Sequence, residues 1–479
     1  MKRILIACAM LGTFFLWFCS FPPFAFAEAA YFFLIPILLV LPIFRSGKIL
    51  FGAAWLTALL FWVASLFWLR HVTWIGTFFL SAILALFFAL WIYWVWSVSR
   101  RQTSTWFTFL VFAAGWVLLE WIRSWLFWGF PWNPLAVSQW NRPAVLPIVS
   151  VAGSWGLTFL LVWINLLLAH WMRTPVVSWV KKGFLPVVRT IPISLVVALG
   201  VLLSGSLWFF YSSRNAVPSD PIRVAFVQPY MELKWTEEAY RGNLEALWKE
   251  TREAKAEDPD LILWPESSTP FPVIGDDWMR TAIEALSEEI NVPILMGNMA
   301  FFSEPGYYEN AIFWVDPASG LAEEYYVKRK LVPFGEFVPL RSWFPFLDKF
   351  VPIPLDCLPG ETAVTFTTNN LQEHQIGALI CYEDIFPHLG RDNVKAGADW
   401  LFVATNNAWY GEEAGAYQHA AHSVLRAAEL RRPVLRGGNG GWSGWIDEWG
   451  RIRHVVVDER DSIYFRGQNV VPVVRDLRF

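Results

Sequence analysis

Cys381 stands in Leu-Ile-Cys-Tyr-Glu behind an apolar run, and two more reactive-looking stretches lie upstream of it. One is Leu-Trp-Pro-Glu, ending at Glu266. The other runs Tyr-Val-Lys-Arg-Lys-Leu-Val-Pro-Phe-Gly-Glu from Tyr326 to Glu336 and carries Lys328. A thiol, a carboxylate and an ammonium, each beside a strand-like segment, are the parts of an acyl-transfer site. A thiol of ordinary pKa is only a few per cent ionised at neutral pH, so a nucleophilic cysteine needs a base or a cation nearby. Glu266 can take the thiol proton, and Lys328 can stabilise thiolate and oxyanion. No histidine competes well: His419 and His422 sit in a helix-like stretch with no matching acid pattern, which weakens a Cys-His scheme. Taken singly, each residue has a plainer explanation. Cys381 could be core, Glu266 a turn residue, and Lys328, beside Arg329 and Lys330, a solvated strand end.

The elements that would position these groups begin near residue 222. Ile222 to Val227 reads as a first strand, followed by a charged helical stretch over about 236–257 and the strand Leu261-Ile262-Leu263-Trp264. A helix over about 277–290 and the strand at 293–296 continue the alternation. Ile376 to Ile380, a helix after Asp384, Leu401 to Ala404 and a helix near 417–430 follow, with further strands expected near 433, 443 and 453. Near-continuous apolar strands alternating with amphipathic helices argue for an α/β layered domain. In such sheets ligands collect at the carboxyl ends of the strands, which would bring Glu266 and Cys381 into one pocket. No metal cluster of credible ligand spacing and no phosphate-cradling glycine loop is present, so neither metal nor cofactor is expected.

The first 212 residues are of another kind. Hydrophobic residues make up 55% of the 479-residue chain and charged ones 16%, with 31 Trp and 40 Phe, too apolar for an ordinary soluble protein. A net charge of -3 gives no support to nucleic-acid binding, and the four cysteines form no obvious disulfide framework. Apolar stretches at about 4–20, 29–44, 50–69, 74–98, 105–122, 146–171 and 190–211 give seven candidate spans, each near the roughly 20 residues a bilayer core requires. One side collects Lys2, Arg3, Arg45, Lys48, Arg100, Arg101, Arg173, Lys181, Lys182 and Arg189; the other collects Arg70, Arg123, Arg142 and Arg214. That bias puts the N-terminus in the cytoplasm, and an odd number of spans delivers the α/β domain to the outer face. Met-Lys-Arg, the first apolar run and Ala25-Phe26-Ala27 also fit a cleavable signal peptide, which would leave the later domain on the same side. The loop after the fifth span holds Glu120 and Arg123, then Gly129-Phe130-Pro131-Trp132-Asn133-Pro134. An ionisable group at a span end is expensive and calls for a partner, Arg123 being the nearest. A thiol acyl-transfer site tethered to a bilayer points at a lipid substrate.

Leu-Trp-Pro-Glu (263–266), Tyr-x-Lys-x-x-Leu-Val-Pro-Phe-Gly-Glu (326–336) and Cys-Tyr-Glu (381–383) resemble the three catalytic blocks of the nitrilase superfamily. More narrowly, they are similar to those of the apolipoprotein N-acyltransferases. The early Phe-Pro-Pro-Phe, the Gly-Phe-Pro-Trp-Asn-Pro loop, Trp409-Tyr410-Gly411, Gln418-His419 and Arg426-Ala427-x-Glu429-x-x-Arg432-Pro433 extend the resemblance over nearly the whole chain. It implies a helical membrane domain (1–212), a nitrilase-like α-β-β-α sandwich (220–468) and a tail (469–479). It also implies a Glu266–Lys328–Cys381 triad, with Glu336 as a second, orienting carboxylate and Tyr382 and Glu383 shaping the site. Trp235, Phe334, Trp409 and Tyr410 would belong to lipid-contacting loops. The chain departs from the family in lacking an apolar stretch after the α/β domain, in Thr405-Asn406-Asn407 where an Asp is expected before Ala-Trp, and in its glycine-rich 437–441.

The activity so implied takes an acyl chain from a phospholipid, holds it as a cysteine thioester and passes it to the α-amine of a diacylglyceryl-cysteine lipoprotein, at the outer face of an inner membrane. Two rivals stand beside it: a membrane-anchored amidase with water as acceptor, and a non-enzymatic scaffold. The lipid-facing half argues against the first and three intact blocks against the second.

Overall fold

The computed structural model describes residues 2–101, 106–182, 192–231, 236–302, 307–346, 355–367 and 374–479, with backbone alone for 106 and 174–182. The chain divides into two units, one made of Met1–Asn215 with Glu413–Ala421 and the other of Ala216–Glu412 with His422–Phe479.

The first unit is built from α1 (Lys2–Cys19), α2 (Ile35–Val40), α3 (Gly47–Ser65), α4 (Trp74–Ser99), α5 (Trp106–Arg123), α6 (Pro147–Lys182) and α7 (Ile193–Arg214). Among the described residues five helices are long and apolar enough to cross a membrane: α1, α3, α4, α6 as far as Arg173, and α7. The span expected at 29–44 is instead a short α2 with a 3-10 turn on each side, Ala27–Tyr31 and Leu41–Ile43. Pro36 and Pro42 explain the breaks, since each lacks an N–H and starts a new turn rather than continuing one. Asn165 of α6 serves the backbone groups this frees, accepting from Leu34 N at 2.9 Å and donating to Ala30 O at 2.8 Å. The span expected at 105–122 is α5, and Glu120 near its end accepts from Trp116 Nε1 and from Leu135 N, both at 2.9 Å. Arg123 lies over the Trp62 ring, 4.9 Å from its centroid.

Gln418 makes four side-chain hydrogen bonds within this unit. Its Oε1 accepts from Trp68 Nε1 at 3.1 Å and Trp132 Nε1 at 2.9 Å. Its Nε2 donates to Pro22 O at 3.2 Å and Ser65 O at 3.0 Å. An amide has two donors and two acceptor sites, and here all four are used.

The second unit contains α8 (Glu237–Lys255), α9 (Asp277–Ile290), α10 (Pro387–Lys395) and α11 (Ala414–Leu430), the last beginning within the first unit. Its strands are β1 (Ile222–Gln228), β2 (Leu261–Trp264), β3 (Ile294–Phe301), β4 (Tyr307–Asp316), β5 (Gly320–Leu321), β6 (Tyr326–Val327) and β7 (Asp356–Cys357). They continue with β8 (Thr365–Thr367), β9 (Gln375–Ile380), β10 (Trp400–Asn406), β11 (Val434–Asn439), β12 (Gly444–Ile446), β13 (Ile452–Val455) and β14 (Gly467–Val473). One sheet runs β14-β1-β2-β3-β4-β5 with β6 and β7 on β4; the other runs β13-β12-β11-β10-β9-β8. Side chains alternate across a strand, and the burial follows that period. Ile222, Val224, Phe226, Leu261 and Leu263 meet Ile376, Ala378, Ile380, Phe402 and Leu435 between the sheets. Ala225, Val227, Ile262 and Trp264 face Leu247, Ala254, Ile283 and Leu286 of α8 and α9. On the second sheet, Asn393 of α10 donates to Ala378 O, and Arg436 of β11 reaches Ser423 of α11. The layers are therefore α-β-β-α, the sandwich that the resemblance implied.

Local sequence starts these helices where they begin. Thr236 caps α8 by accepting from Ala239 N, and Asp276 caps α9 by accepting from Met279 N. Asn291, left-handed at φ 51°, ends α9. The tail expected at 469–479 is a correction in its first part: residues 469–473 lie in β14, paired antiparallel with β1 from Ile222↔Val473 to Gln228↔Gly467. Val470-Val471-Pro472-Val473 has no period of two and carries a proline, so it reads weakly as a strand until β1 supplies a partner.

Replacing Gln418 with leucine removes the partner of two indole N–H groups and two backbone carbonyls inside the helical unit. A loss on the order of 3 kcal/mol is expected, read as a lower unfolding midpoint in detergent; an unchanged midpoint would show that these bonds do not hold the unit together.

Candidate active site

Lys328 follows β6 directly, Glu266 follows β2 after one proline, and Cys381 follows β9 directly, so all three leave their strands at the carboxyl ends. The Lys328 ammonium is fully buried between two carboxylates, 3.2 Å from Glu266 Oε1 and 2.7 Å from Glu336 Oε1. Asn310 of β4 donates to the same two oxygens at 2.8 and 3.1 Å. The other oxygen of Glu266 accepts from Asn406 N at 2.9 Å, and that of Glu336 from Val332 N at 2.8 Å. Burial alone would lower the Lys328 pKa, but the charges of Glu266 and Glu336 outweigh it and hold the ammonium well above its usual range.

Glu266 owes its place to a close approach of two backbones. A Cβ on Gly297 of β3 would lie 2.7 Å from both Glu266 Cα and Pro265 O, so only glycine lets the end of β2 settle there. Ser268 ties the same contact, its N–H donating to Gly297 O at 2.9 Å.

Cys381 sits at φ 49°, in the left-handed region, at the start of a 3-10 turn over Cys381–Ile385. For a residue with a Cβ that conformation costs roughly 1–2 kcal/mol. Two consecutive buried acids hold the turn in place. Glu383 accepts from Ile380 N and the Tyr326 hydroxyl, each at 2.7 Å, and from Arg329 N at 2.6 Å and Lys330 N at 3.0 Å. It thereby binds the cysteine turn to the segment that carries Lys328. Asp384 pairs with Arg436 at 2.8 Å and accepts from Ser423 Oγ at 2.5 Å, both partners fully buried. Burial pushes the Cys381 thiol up to about 12; the Glu266 charge adds to the rise, while Lys328 and a hydrogen bond with Thr405 oppose it.

Of the residues singled out from sequence, Glu266, Lys328, Glu336 and Cys381 converge, and Glu383 supports them. Tyr382 is buried against Phe386, ring centroids 5.1 Å apart. Tyr410 adjoins the cysteine: burial first, then the charges of Cys381 and Glu266, hold its phenol well above the ordinary range. Phe334 and Trp409 are half exposed, 49% and 45%, each beside a turn. Trp235 lies outside the described residues. Sequence reading missed Asn310 and noted Thr405 and Asn406 only as a departure from the family pattern. It also missed Cys357, whose buried thiol sits near the same carboxylates and is pushed up to about 12, chiefly by burial and then by Glu336. Asn310, next to Glu309 at the head of the apolar run Ala311 to Val315, carried no distinguishing signal.

Known proteins match both units. Residues 15–167 match the apolipoprotein N-acyltransferase N-terminal domain, and residues 223–463 match the carbon-nitrogen hydrolase family. An apolipoprotein N-acyltransferase of Geobacter metallireducens is 31% identical over 422 residues, covering 86% of this chain and 78% of that one. One from Haemophilus influenzae is 28% identical over 473 residues, covering 94% and 85%. Among solved structures, an amidase from Nesterenkonia sp. covers 54% of this chain and 92% of its own at 15% identity and a TM-score of 0.41, too distant a likeness to bear on function.

Two outcomes are expected. Gly297→Ala should move Glu266 and lower activity by about a hundredfold while the protein still folds; full activity would mean that the backbone contact does not position the carboxylate. With its thiol raised to about 12, Cys381 is protonated at neutral pH, and its thiolate fraction grows about tenfold per pH unit below that value. Its alkylation by iodoacetamide should therefore climb steadily from pH 7 to 10; a plateau near pH 8 would reveal a preformed thiolate.

Proposed function

Because the chain belongs to the apolipoprotein N-acyltransferase family, we propose that Glu266, Lys328 and Cys381 carry its acyl transfer through a thioester on Cys381. The protein is an N-acyltransferase of lipoprotein maturation, a membrane protein acting on lipid and lipoprotein. The observation that carries the residue assignment is the buried lysine held by two carboxylates beside a cysteine at a strand end.

In the first half-reaction Glu266 takes the Cys381 proton as the sulfur attacks the acyl ester carbon of a phospholipid. The high thiol pKa makes proton removal and attack a coupled event. Lys328 and nearby backbone N–H groups stabilise the negative oxygen of the tetrahedral intermediate. Its collapse breaks the C–O bond, Glu266 returns the proton to the departing oxygen, and a lysophospholipid leaves. In the second half-reaction the α-amine of a diacylglyceryl-cysteine at a lipoprotein N-terminus attacks the thioester carbon. The C–N bond forms, the C–S bond breaks, and Glu266 moves the amine proton to the sulfur. Glu336 shares the Lys328 ammonium, which keeps that cation aimed at the site.

The exposed rings of Phe334 and Trp409 offer apolar surface to acyl chains. The Lys and Arg bias of the helical unit favours a cytoplasmic N-terminus for it.

Intact-mass measurement after incubation with phospholipid tests this reading. Wild type should gain a hydroxylamine-sensitive acyl adduct that a diacylglyceryl-cysteine peptide discharges, and Cys381→Ser should gain no such adduct. Discharge to water at one rate, with or without the peptide, would mark a hydrolase instead; an adduct that persists in Cys381→Ser would remove Cys381 from the mechanism.

A further inference from the structure

Thr405 and Asn407 stand outside the Glu266–Lys328–Cys381 set, yet both are fully buried next to it. β10 runs parallel to β9 with Ala404 opposite Ile380, so Thr405, still within β10, comes beside Cys381, the residue that follows β9. A hydrogen bond joins their side chains. Thr405 Oγ1 also accepts from Asn407 Nδ2 at 3.3 Å. A hydroxyl has one proton and two lone pairs. With a lone pair engaged by the amide, its proton is left to point at the sulfur.

Asn407 is itself held in place. Its backbone N–H donates to Asn439 O at 2.9 Å, and a Cβ on Gly441 would come within 2.6 Å of the Asn407 Cβ. The glycine-rich 437–441 thus makes room for an amide against the threonine. We infer that Thr405 is a further catalytic residue, its hydroxyl donating a hydrogen bond to the Cys381 sulfur as that atom becomes a thiolate, and that Asn407 is the positioning residue that aims it.

The charges around the sulfur make an uncharged donor useful. Glu266 beyond β2 and Glu336 from the 332–336 turn disfavour a thiolate, and Lys328 beyond β6 favours it. The Tyr410 phenol, from the turn after β10, faces the same sulfur. Lys328 already directs hydrogen bonds at both carboxylates. A hydroxyl stabilises developing charge on sulfur without disturbing that balance. A carboxylate at 407 would accept the Thr405 proton and turn it away from the sulfur.

The inference rests on Cys381 as the nucleophile, and its test reads the thiol itself. Cys381 of the full-length protein in detergent is alkylated with iodoacetamide across pH 7–10, and the labelled peptide is quantified for wild type, Thr405→Val, Thr405→Ser and Asn407→Asp. Melting midpoints confirm that each variant is folded. Thr405→Val should react about tenfold more slowly at each pH, the ratio one hydrogen bond to a charged group carries, which displaces the profile about one unit upward. Thr405→Ser should restore it. Asn407→Asp, which keeps the hydroxyl, should slow alkylation in the same sense. A valine variant that matches wild type at every pH overturns the donor, and an aspartate variant that matches it overturns the aiming role. A shifted alkylation profile with no thioester on wild type would instead count against the acyl-transfer reading and leave this contact standing.

Discussion

One buried ammonium governs the architecture of the α/β unit. Lys328 is 1% exposed, and a lone charge at that depth would be prohibitive. It is tolerable because Glu266 and Glu336 converge on it and because Asn310, Asn406 N and Val332 N satisfy the remaining carboxylate lone pairs. Five stretches of chain must therefore meet at one point: the ends of β2, β6 and β10, the interior of β4 and the 332–336 turn. The sandwich delivers them there by stacking two sheets with their apolar faces together. Removing one partner from such a set leaves the others buried and uncompensated, so the group is rigid as a whole. That rigidity suits the chemistry proposed for it, where the oxyanion donor must be in place before charge develops.

The nucleophile turn answers a second constraint. A left-handed cysteine is unfavourable on its own, and Glu383 and Asp384 hold it through separate sets of partners. Glu383 reaches β6 and the residues after it; Asp384 reaches β11 and α11 through Arg436 and Ser423. Because Glu383 bonds Arg329 N and Lys330 N, the cysteine turn and the lysine segment move as one piece. The same arrangement leaves the thiol protonated in the resting protein. Reactivity then depends on groups that favour the thiolate at the moment of attack, which is the role assigned to Lys328 and Thr405.

The helical unit obeys a different rule. In a bilayer every backbone group needs an internal partner, and the places where helix geometry fails are where polar side chains gather. Asn165 serves the broken stretch around α2, Glu120 serves the N–H of Leu135, and Gln418 serves the carbonyls of Pro22 and Ser65. Gln418 comes from far along the sequence, in a helix whose first half belongs to this unit. Membership in the apolipoprotein N-acyltransferase family gives the combination of units its meaning, since that function implies a lipoprotein substrate and membrane lipid.

Much of this was legible in the amino-acid order alone. The strands at 222–227, 261–264, 376–380 and 401–404 declare themselves as apolar runs because they are covered on both faces, and the helices by their caps and period. The oxygen and sulfur that could do chemistry were legible because Glu266 and Cys381 sit at the ends of such runs, and the nitrogen of Lys328 because of the Tyr-x-Lys-x-x-Leu-Val-Pro-Phe-Gly-Glu string around it. The short strands β5 to β8 and the edge strand β14 were not, since two or three residues carry no period. Nor were the partners. Asn310 lies 44 residues from Glu266, Asn406 lies 140 residues from it, and Gln418 lies 396 from Pro22. Local sequence determines which segments are strand, helix or membrane, because propensity and burial act within a few residues. Only the tertiary structure decides which polar atoms meet, because hydrogen bonds and buried charge pairs depend on distances of about 3 Å that chain separation does not encode.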